Sequence, residues 1–518
     1  MAGQEHCDVV VVGAGIAGLT AAALLAKQGL RVVLLESHHQ SGGCAGTFRR
    51  GPYVFDVGAT QVAGLEPGGI HEQIFRHLEV SAPPARPLDP ACVVDLADGR
   101  PPVHIWREHE RWCRERLEQF PGSERFWNLC ERLHASNWAF AGRHPVLPPR
   151  SGWDLGQLLG ALRPGTLGSA WLAAASMADL LRLCGCGEDR RLRRFLDLQL
   201  KLYSQQPAAG TAALYGATVL AMAQAPLGLW HLHGSMQELS RSLEAGLTRH
   251  GGELRLKQRL VGLEPIGPGS ADAPRPGASG GWLCRIARGG RPSTDTDAIR
   301  CRDVIVTLPP QCLPDLLGPA LPSGYNRRLS RLPEPSGALV HYGVCDRSAL
   351  PEHCAAHLQL EWPDPGSLFV SVSREGDGRA PRGQATVIAS CFTAVTRWQG
   401  LDRQAYDWAK QKAGLGLRRG LEHLLGIGAE AWTHQELATP RGFARWTGRP
   451  MGIVGGLGQT PGQFGPFGLA GRTPLTGLWL CGDSIHPGEG TAGVSLSALS
   501  SVRQLLQARG MADIVPLA

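Results

Sequence analysis

Val9-Val10-Val11-Val12-Gly13-Ala14-Gly15-Ile16-Ala17-Gly18 is the stretch that decides the fold. Four β-branched residues in a row suit a short strand buried on both faces, as in a parallel sheet. Three glycines follow, then residues 19–27, rich in alanine and leucine, read as a helix that Gly29 ends. Residues 31–35 form a second strand closing on Glu36. In such a unit Gly13 permits the tight turn, Gly15 lets the backbone approach a pyrophosphate, and Gly18 lets helix and strand pack closely. The free N–H groups at the helix start favour phosphate, and Glu36 is placed to accept both hydroxyls of an adenosine ribose. Strand, glycine turn, helix and acid in that order predict a dinucleotide site in an α/β fold.

Two further features favour FAD over NAD. Ser41-Gly42-Gly43-Cys44-Ala45-Gly46-Thr47 is a second glycine turn soon after Glu36, and Gly42, Gly43 and Thr47 are expected beside the cofactor. Near the far end, Gly477-Leu478-Trp479-Leu480-Cys481-Gly482-Asp483 reads as a strand, and Gly482 and Asp483 are expected at the ribityl chain. His486-Pro487-Gly488-Glu489-Gly490-Thr491-Ala492-Gly493 then leads into a helix running to about residue 507. Thr491, Ala492 and Gly493 would turn the positive end of that helix toward the flavin, stabilising negative charge developed on reduction. No second strand–GxGxxG–helix unit is present, so a quinone or oxygen is the expected electron acceptor.

The composition excludes several classes. At 518 residues, with 43% hydrophobic and 19% charged residues, the chain buries a large core and is too apolar for disorder. A net charge of +7 without basic blocks interleaved with aromatics argues against nucleic acid. The nearest basic cluster, Arg190, Arg191, Arg193 and Arg194, reads as a solvated helix face or a contact for anionic lipid. Fourteen cysteines without a CxxC pair read as reduced thiols in a cytosolic setting, and no metal site is expected. No signal peptide is visible. Residues 202–237 carry no Asp, Glu, Lys or Arg, yet prolines, glycines and glutamines interrupt them. They read as the wall of an apolar cavity, a surface dipping into a membrane, or plain core.

Together these residues resemble the carotenoid desaturase and isomerase branch of the flavin amine-oxidase superfamily. Residues 55–71, 213–217 and 225–236 carry the resemblance furthest, looking like the cyanobacterial C-3′,4′ carotenoid desaturases. The resemblance implies a Rossmann-like FAD-binding domain of the glutathione-reductase and amine-oxidase type, interleaved with an α+β substrate domain. Residues 1–85, 230–310 and 470–518 would form the first, and 86–229 and 311–469 the second, membrane-facing one. Independent signs agree: 234–236 opens an amphipathic helix, 253–263 follows as a strand, and 303–308 reads as another buried strand. Residues 265–281, rich in Gly, Pro, Ala and Ser, read as a surface loop or insertion. The glycine-dense 447–477 segment would thread between flavin and substrate.

The reaction so implied removes two hydrogens beside a polyene, a hydride passing to the flavin and a proton leaving the neighbouring carbon. The protein mainly positions the chain and excludes water. His486 and Glu489 are the candidate bases; the local alternatives are a hydrogen-bonding His486 and a Glu489 that caps the next helix. A carotenoid, for which residues 202–237 are the expected tunnel wall, implies peripheral attachment to the cytoplasmic side of the inner or thylakoid membrane. Rival readings are a carotenoid cis–trans isomerase, a carrier resembling escort proteins of prenylated GTPases, and a true amine oxidase.

Overall fold

A computed structural model describes residues 5–267, 280–291 and 296–517 of the chain. Its centre is a five-stranded, all-parallel sheet in the order Glu253–Arg255, Val32–Leu35, Val9–Val12, Asp303–Val306, Leu478–Leu480. Side chains alternate across it with the period of two that strands impose. Val9, Val11, Val32 and Leu34 face helices Ile16–Lys27, Gln237–Arg249 and Thr491–Ala508. Val10, Val12, Val33 and Leu35 face Trp282, Cys284 and Ile286. Those three belong to an antiparallel sheet of Gln258–Ile266, Gly281–Arg288 and Thr296–Cys301, to which Glu5–His6 adds in parallel. With both faces covered, the central strands are apolar apart from Asp303 at the start of its strand.

The strands pair in register, Val9 with Val32 and Asp303, and Val304 with Leu478. Their carboxyl ends therefore lie side by side, so Gly13, Glu36, Thr307 and Gly482 emerge along one edge of the sheet. In open α/β sheets that edge is where ligands bind.

Two expectations are corrected. The first helix begins at Ile16, not at residue 19, so Gly18 lies in its first turn and Gly15 is its N-cap. Residues 253–263 are not one strand. Lys257, at φ 55°, turns the chain between Glu253–Arg255 in the parallel sheet and Gln258–Ile266 in the antiparallel one. Most of the 265–281 run lies outside the described residues; at its ends, Ile266 pairs with Gly281.

A seven-stranded sheet stands apart, in the order Trp432–Ala438, Ser336–Asp346, Gln384–Ala394, Leu368–Val372, His357–Leu360, Cys92–Asp95, Val103–Ile105. Helix Arg403–Leu425 buries Leu417, Leu421 and Leu425 against it. A helical layer gathers around Trp112, Phe120, Trp127 and Phe195. No described helix is long and apolar enough to cross a membrane. All fourteen cysteines are free.

The arginine cluster is only partly a solvated face. On helix Arg190–Ser204, Arg190 is exposed, but Arg191 is buried and donates to Gln119 Oε1 at 2.7 Å and to Asp98. Arg194 pairs with Glu361 at 2.7 Å. Neighbouring carboxylates thus claim half the charge.

Candidate functional site

The first glycine turn is sterically specified. Gly13 sits at φ +96°, and a Cβ there would stand 2.6 Å from Thr307 Oγ1. A Cβ on Gly18 would lie 1.8 Å from the Gly13 carbonyl oxygen, so no larger residue lets helix and turn meet. A Cβ on Gly15 would meet nothing within 4 Å. Gly15 is therefore dictated by no protein neighbour; the space beside it is open. No side chain caps the helix it begins.

Glu36 closes the adjacent strand. One carboxylate oxygen accepts the Ala14 N–H at 2.8 Å and the other the His38 N–H at 2.8 Å. Burial pushes its pKa up, against those hydrogen bonds. The second glycine turn lies directly on the first: Gly42 N–H donates to Ala14 O at 2.8 Å, and a Cβ on Gly43 would come within 3.4 Å of Gly15 Cα. Thr47 has a structural engagement, its hydroxyl donating to Asp56 at 3.1 Å.

The carboxy-terminal turn reaches the same edge. Gly482 donates its N–H to Ser497 Oγ at 3.1 Å, and a Cβ there would lie 3.9 Å from Ala17 Cβ in the first helix. Asp483 accepts from Arg449 Nη2 at 2.8 Å and from Ser484 at 3.2 Å. Thr491, Ala492 and Gly493 form the first turn of helix Thr491–Ala508, whose N-cap, Gly490, provides no side-chain cap. Residues 13–18, 36, 42–43 and 482–483 are thus brought together.

Glu489 does not cap that helix. Its carboxyl accepts the Gly456 N–H at 2.8 Å and a bond from Gln205 Nε2, which also donates to Gly456 O at 3.0 Å. Burial, reinforced by the charge of Asp483, raises its pKa to about 8. At neutral pH it is chiefly protonated and hence a donor. His486 behaves oppositely. Burial lowers its pKa to about 4, so its ring is neutral, with Nδ1 buried and unpartnered. The ring lies 5.4 Å from Phe464, which stands 5.6 Å from Tyr215.

The sequence reading gave Arg449, Gln205, Tyr215 and Phe464 no role at the site. Tyr215 lies in the 213–217 segment that carries the resemblance, and Arg449 and Phe464 lie in the glycine-dense 447–477 segment, but neither segment says which side chain reaches the glycine turns. Residues 202–237 supply Gln205 and Tyr215, but expose no large apolar side chain. Their Tyr203, Val219 and Leu229 help close a void of about 10 Å³, room for at most one water. That void holds no polyene. Elsewhere, His109, Cys113 and Glu131 have metal-ligating atoms within 4.8 Å of one another. Arg116 donates to both Cys113 and Glu131 at 2.8 Å and already supplies the positive charge there.

The NAD(P)-binding Rossmann-like domain family matches residues 11–78. Over 535 residues, 99% of this chain and 86% of the relative, the sequence is 25% identical to prolycopene isomerase 1 of an Oncidium hybrid cultivar. Over 124 residues, 23% of this chain and 20% of the relative, it is 36% identical to all-trans-retinol 13,14-reductase of Homo sapiens. Cyclohexylamine oxidase of Brevibacterium oxydans superposes with a TM-score of 0.60 at 17% identity, covering 96% of this chain and 99% of that one. The chain is therefore an α/β protein with a Rossmann-like dinucleotide-binding unit and a fold shared with amine oxidases.

Proposed function

We propose that this protein is an FAD-dependent enzyme that modifies a carotenoid, introducing a C-3′,4′ double bond into a monocyclic, 1′-hydroxylated carotenoid. One observation carries the reading. Gly15, open on its ligand side, an uncapped helix start, Glu36 and the 482–483 turn all meet at one edge of the parallel sheet. These residues fit FAD. Gly15, Gly42 and Gly43 would line its pyrophosphate on the turn that Gly13 and Gly18 permit, Glu36 would hold its adenosine ribose, and Gly482 and Asp483 its ribityl chain. Thr491, Ala492 and Gly493 would face the flavin ring, and Thr47 would steady the second turn. Residues 1–85, 230–310 and 470–518 are assigned to this cofactor-binding part, and 86–229 and 311–469 to the substrate part.

Bound FAD would supply two-electron redox chemistry, with a quinone or oxygen taking the electrons. The chain's own residues divide the remaining work. His486, neutral near pH 7, is the candidate proton acceptor, and Glu489, chiefly protonated, pins the 455–458 loop by accepting the Gly456 N–H. Tyr215 and Phe464 present apolar faces beside His486. A polyene substrate places the enzyme on a membrane surface, because the substrate is soluble only in lipid.

A second reading, cis–trans isomerisation, has specific support in the near full-length similarity to prolycopene isomerases. Expression in bacteria accumulating a 1′-hydroxylated monocyclic carotene separates the two. Desaturation lowers pigment mass by two hydrogens and shifts absorption to the red. Unchanged mass with altered isomer ratios assigns isomerisation instead, and unchanged pigment rejects both.

A further inference from the structure

Between residues 132 and 178 the chain carries a single carboxylate, Asp154, and it is fully buried. Arg132, Arg143, Arg150 and Arg163 belong to the same stretch. Helix Gly152–Ala161 within it is built inside out. Its polar residues face the protein: Asp154 pairs with Arg472 at 3.3 Å, and Gln157 Oε1 accepts from Arg503 Nη2 at 2.8 Å. Two of its three leucines face outward, Leu155 and Leu159, one turn apart and 47% and 58% exposed; Leu158 is half-buried. An amphipathic helix of a water-soluble surface places these two classes the other way round.

The pattern continues along the chain. Leu167, on helix Pro164–Ser169, is 58% exposed, and Trp171, in the 3-10 turn Ala170–Ala174, is 65% exposed. Arg143 ties the pieces together, donating to Ala161 O at 2.7 Å and Thr166 Oγ1 at 3.5 Å. Helix Pro164–Ser169 also packs on helix Glu124–Ala141, which exposes Trp138. Short helices with outward leucines and tryptophan, interspersed with arginine and with no exposed acid between residues 132 and 178, have the make-up of a segment seated at a lipid interface.

We propose that Leu155, Leu159, Leu167 and Trp171 form the face by which this protein sits in one leaflet of an anionic bilayer. The charge pattern favours lipid over a second copy. Self-association would bring together two rims in which residues 132–178 offer four arginines and no exposed carboxylate, whereas anionic headgroups neutralise that rim. The face is joined to the candidate site from both sides. Arg503 lies on the helix that starts at Thr491, and the Ala170–Ala174 turn packs on helix Ala213–Ala221, which carries Tyr215. The proposal rests on the reading of a lipid-borne polyene for its purpose, and places the membrane contact here instead of in residues 202–237.

Flotation of the purified, FAD-loaded full chain with phosphatidylglycerol-containing vesicles tests it. The protein floats with these vesicles, less with pure phosphatidylcholine, and less at raised ionic strength. Leu159→Glu and Leu167→Glu each lower the bound fraction about tenfold, while Leu159→Trp preserves it. Flavin absorbance and melting temperature hold in all three, because the side chains are exposed. Undiminished binding by the glutamate variants overturns the proposal. So does a dimer of the wild type that Leu159→Glu dissociates, since the occupant is then a second copy. Flotation needs no turnover, so a chain that floats normally yet leaves pigment unchanged fails the functional reading alone.

Discussion

Glu489 and His486 lie three residues apart and titrate in opposite senses for one physical reason. Both side chains are half-buried and largely withdrawn from water, which penalises whichever form carries charge. It raises the carboxyl to about 8 and lowers the imidazole to about 4, leaving both neutral near pH 7. For Glu489 this has a measurable consequence. Between its ordinary value of 4.5 and about 8, the folded chain holds a proton that the unfolded chain has lost. Stability therefore falls as pH rises through that window. Apoprotein melting temperatures measured across it should drop for the wild type relative to Glu489→Gln, which keeps the geometry but does not titrate. Parallel profiles for the two proteins would contradict the raised value.

The first helix makes two demands that its glycines separate. Gly18 answers to the protein: a methyl group there meets the Gly13 carbonyl at 1.8 Å. Gly15 answers to no protein atom within 4 Å. Gly15→Ala should leave apoprotein stability within about 0.5 kcal/mol of wild type, as substitutions free of new contacts do. It should nevertheless weaken FAD retention about tenfold or more, because the methyl group occupies the path of a pyrophosphate. Gly18→Ala should lose both stability and cofactor, since helix and turn are forced apart. Denaturant titration alongside FAD binding distinguishes the two. Equal loss of stability in both variants would remove Gly15 from the cofactor path. The same element logic rules out one of the two sequence readings of Glu489, that of a cap on the next helix. Its neighbours in the chain suggest Thr491–Ala508, but its hydrogen bonds go to Gly456 and Gln205.

At the scale of the molecule, a buried charge cluster ties the glycine-turn region to the seven-stranded sheet. Asp56 ends strand Tyr53–Asp56 and accepts from Thr47 and from the Met236 N–H at 2.8 Å, just before helix Gln237–Arg249. Arg379, between strands Leu368–Val372 and Gln384–Ala394, donates to Asp56 at 3.1 Å and to Asp377 at 3.2 Å. Asp377 in turn lies 2.9 Å from His231. Breaking such a pair leaves an uncompensated charge in a poorly solvated place, which costs more than the intact pair contributes. Arg379→Met should lower the unfolding free energy by about 3–5 kcal/mol, and adding Asp56→Asn should recover part of that loss. Urea unfolding of the single and double variants measures both. A single variant as stable as the wild type would show that the tie is not needed.

Local chemistry determined the dinucleotide unit by itself. A β-branched strand, glycines whose spacing suits one turn, a helix and a terminal acid interact over some thirty residues, so their meaning is readable in order. The strand near residue 480 and the helix after it were legible for the same reason. The inside-out helix Gly152–Ala161, the Arg449–Asp483 pair and the reach of Gln205 to Glu489 were not. Each depends on which distant segment covers a given side chain, and hydrophobic pattern alone assigns leucine to the core. Only the packed chain decided that Asp154 goes in and Leu159 stays out, because Arg472 and Arg503 wait on the inner side.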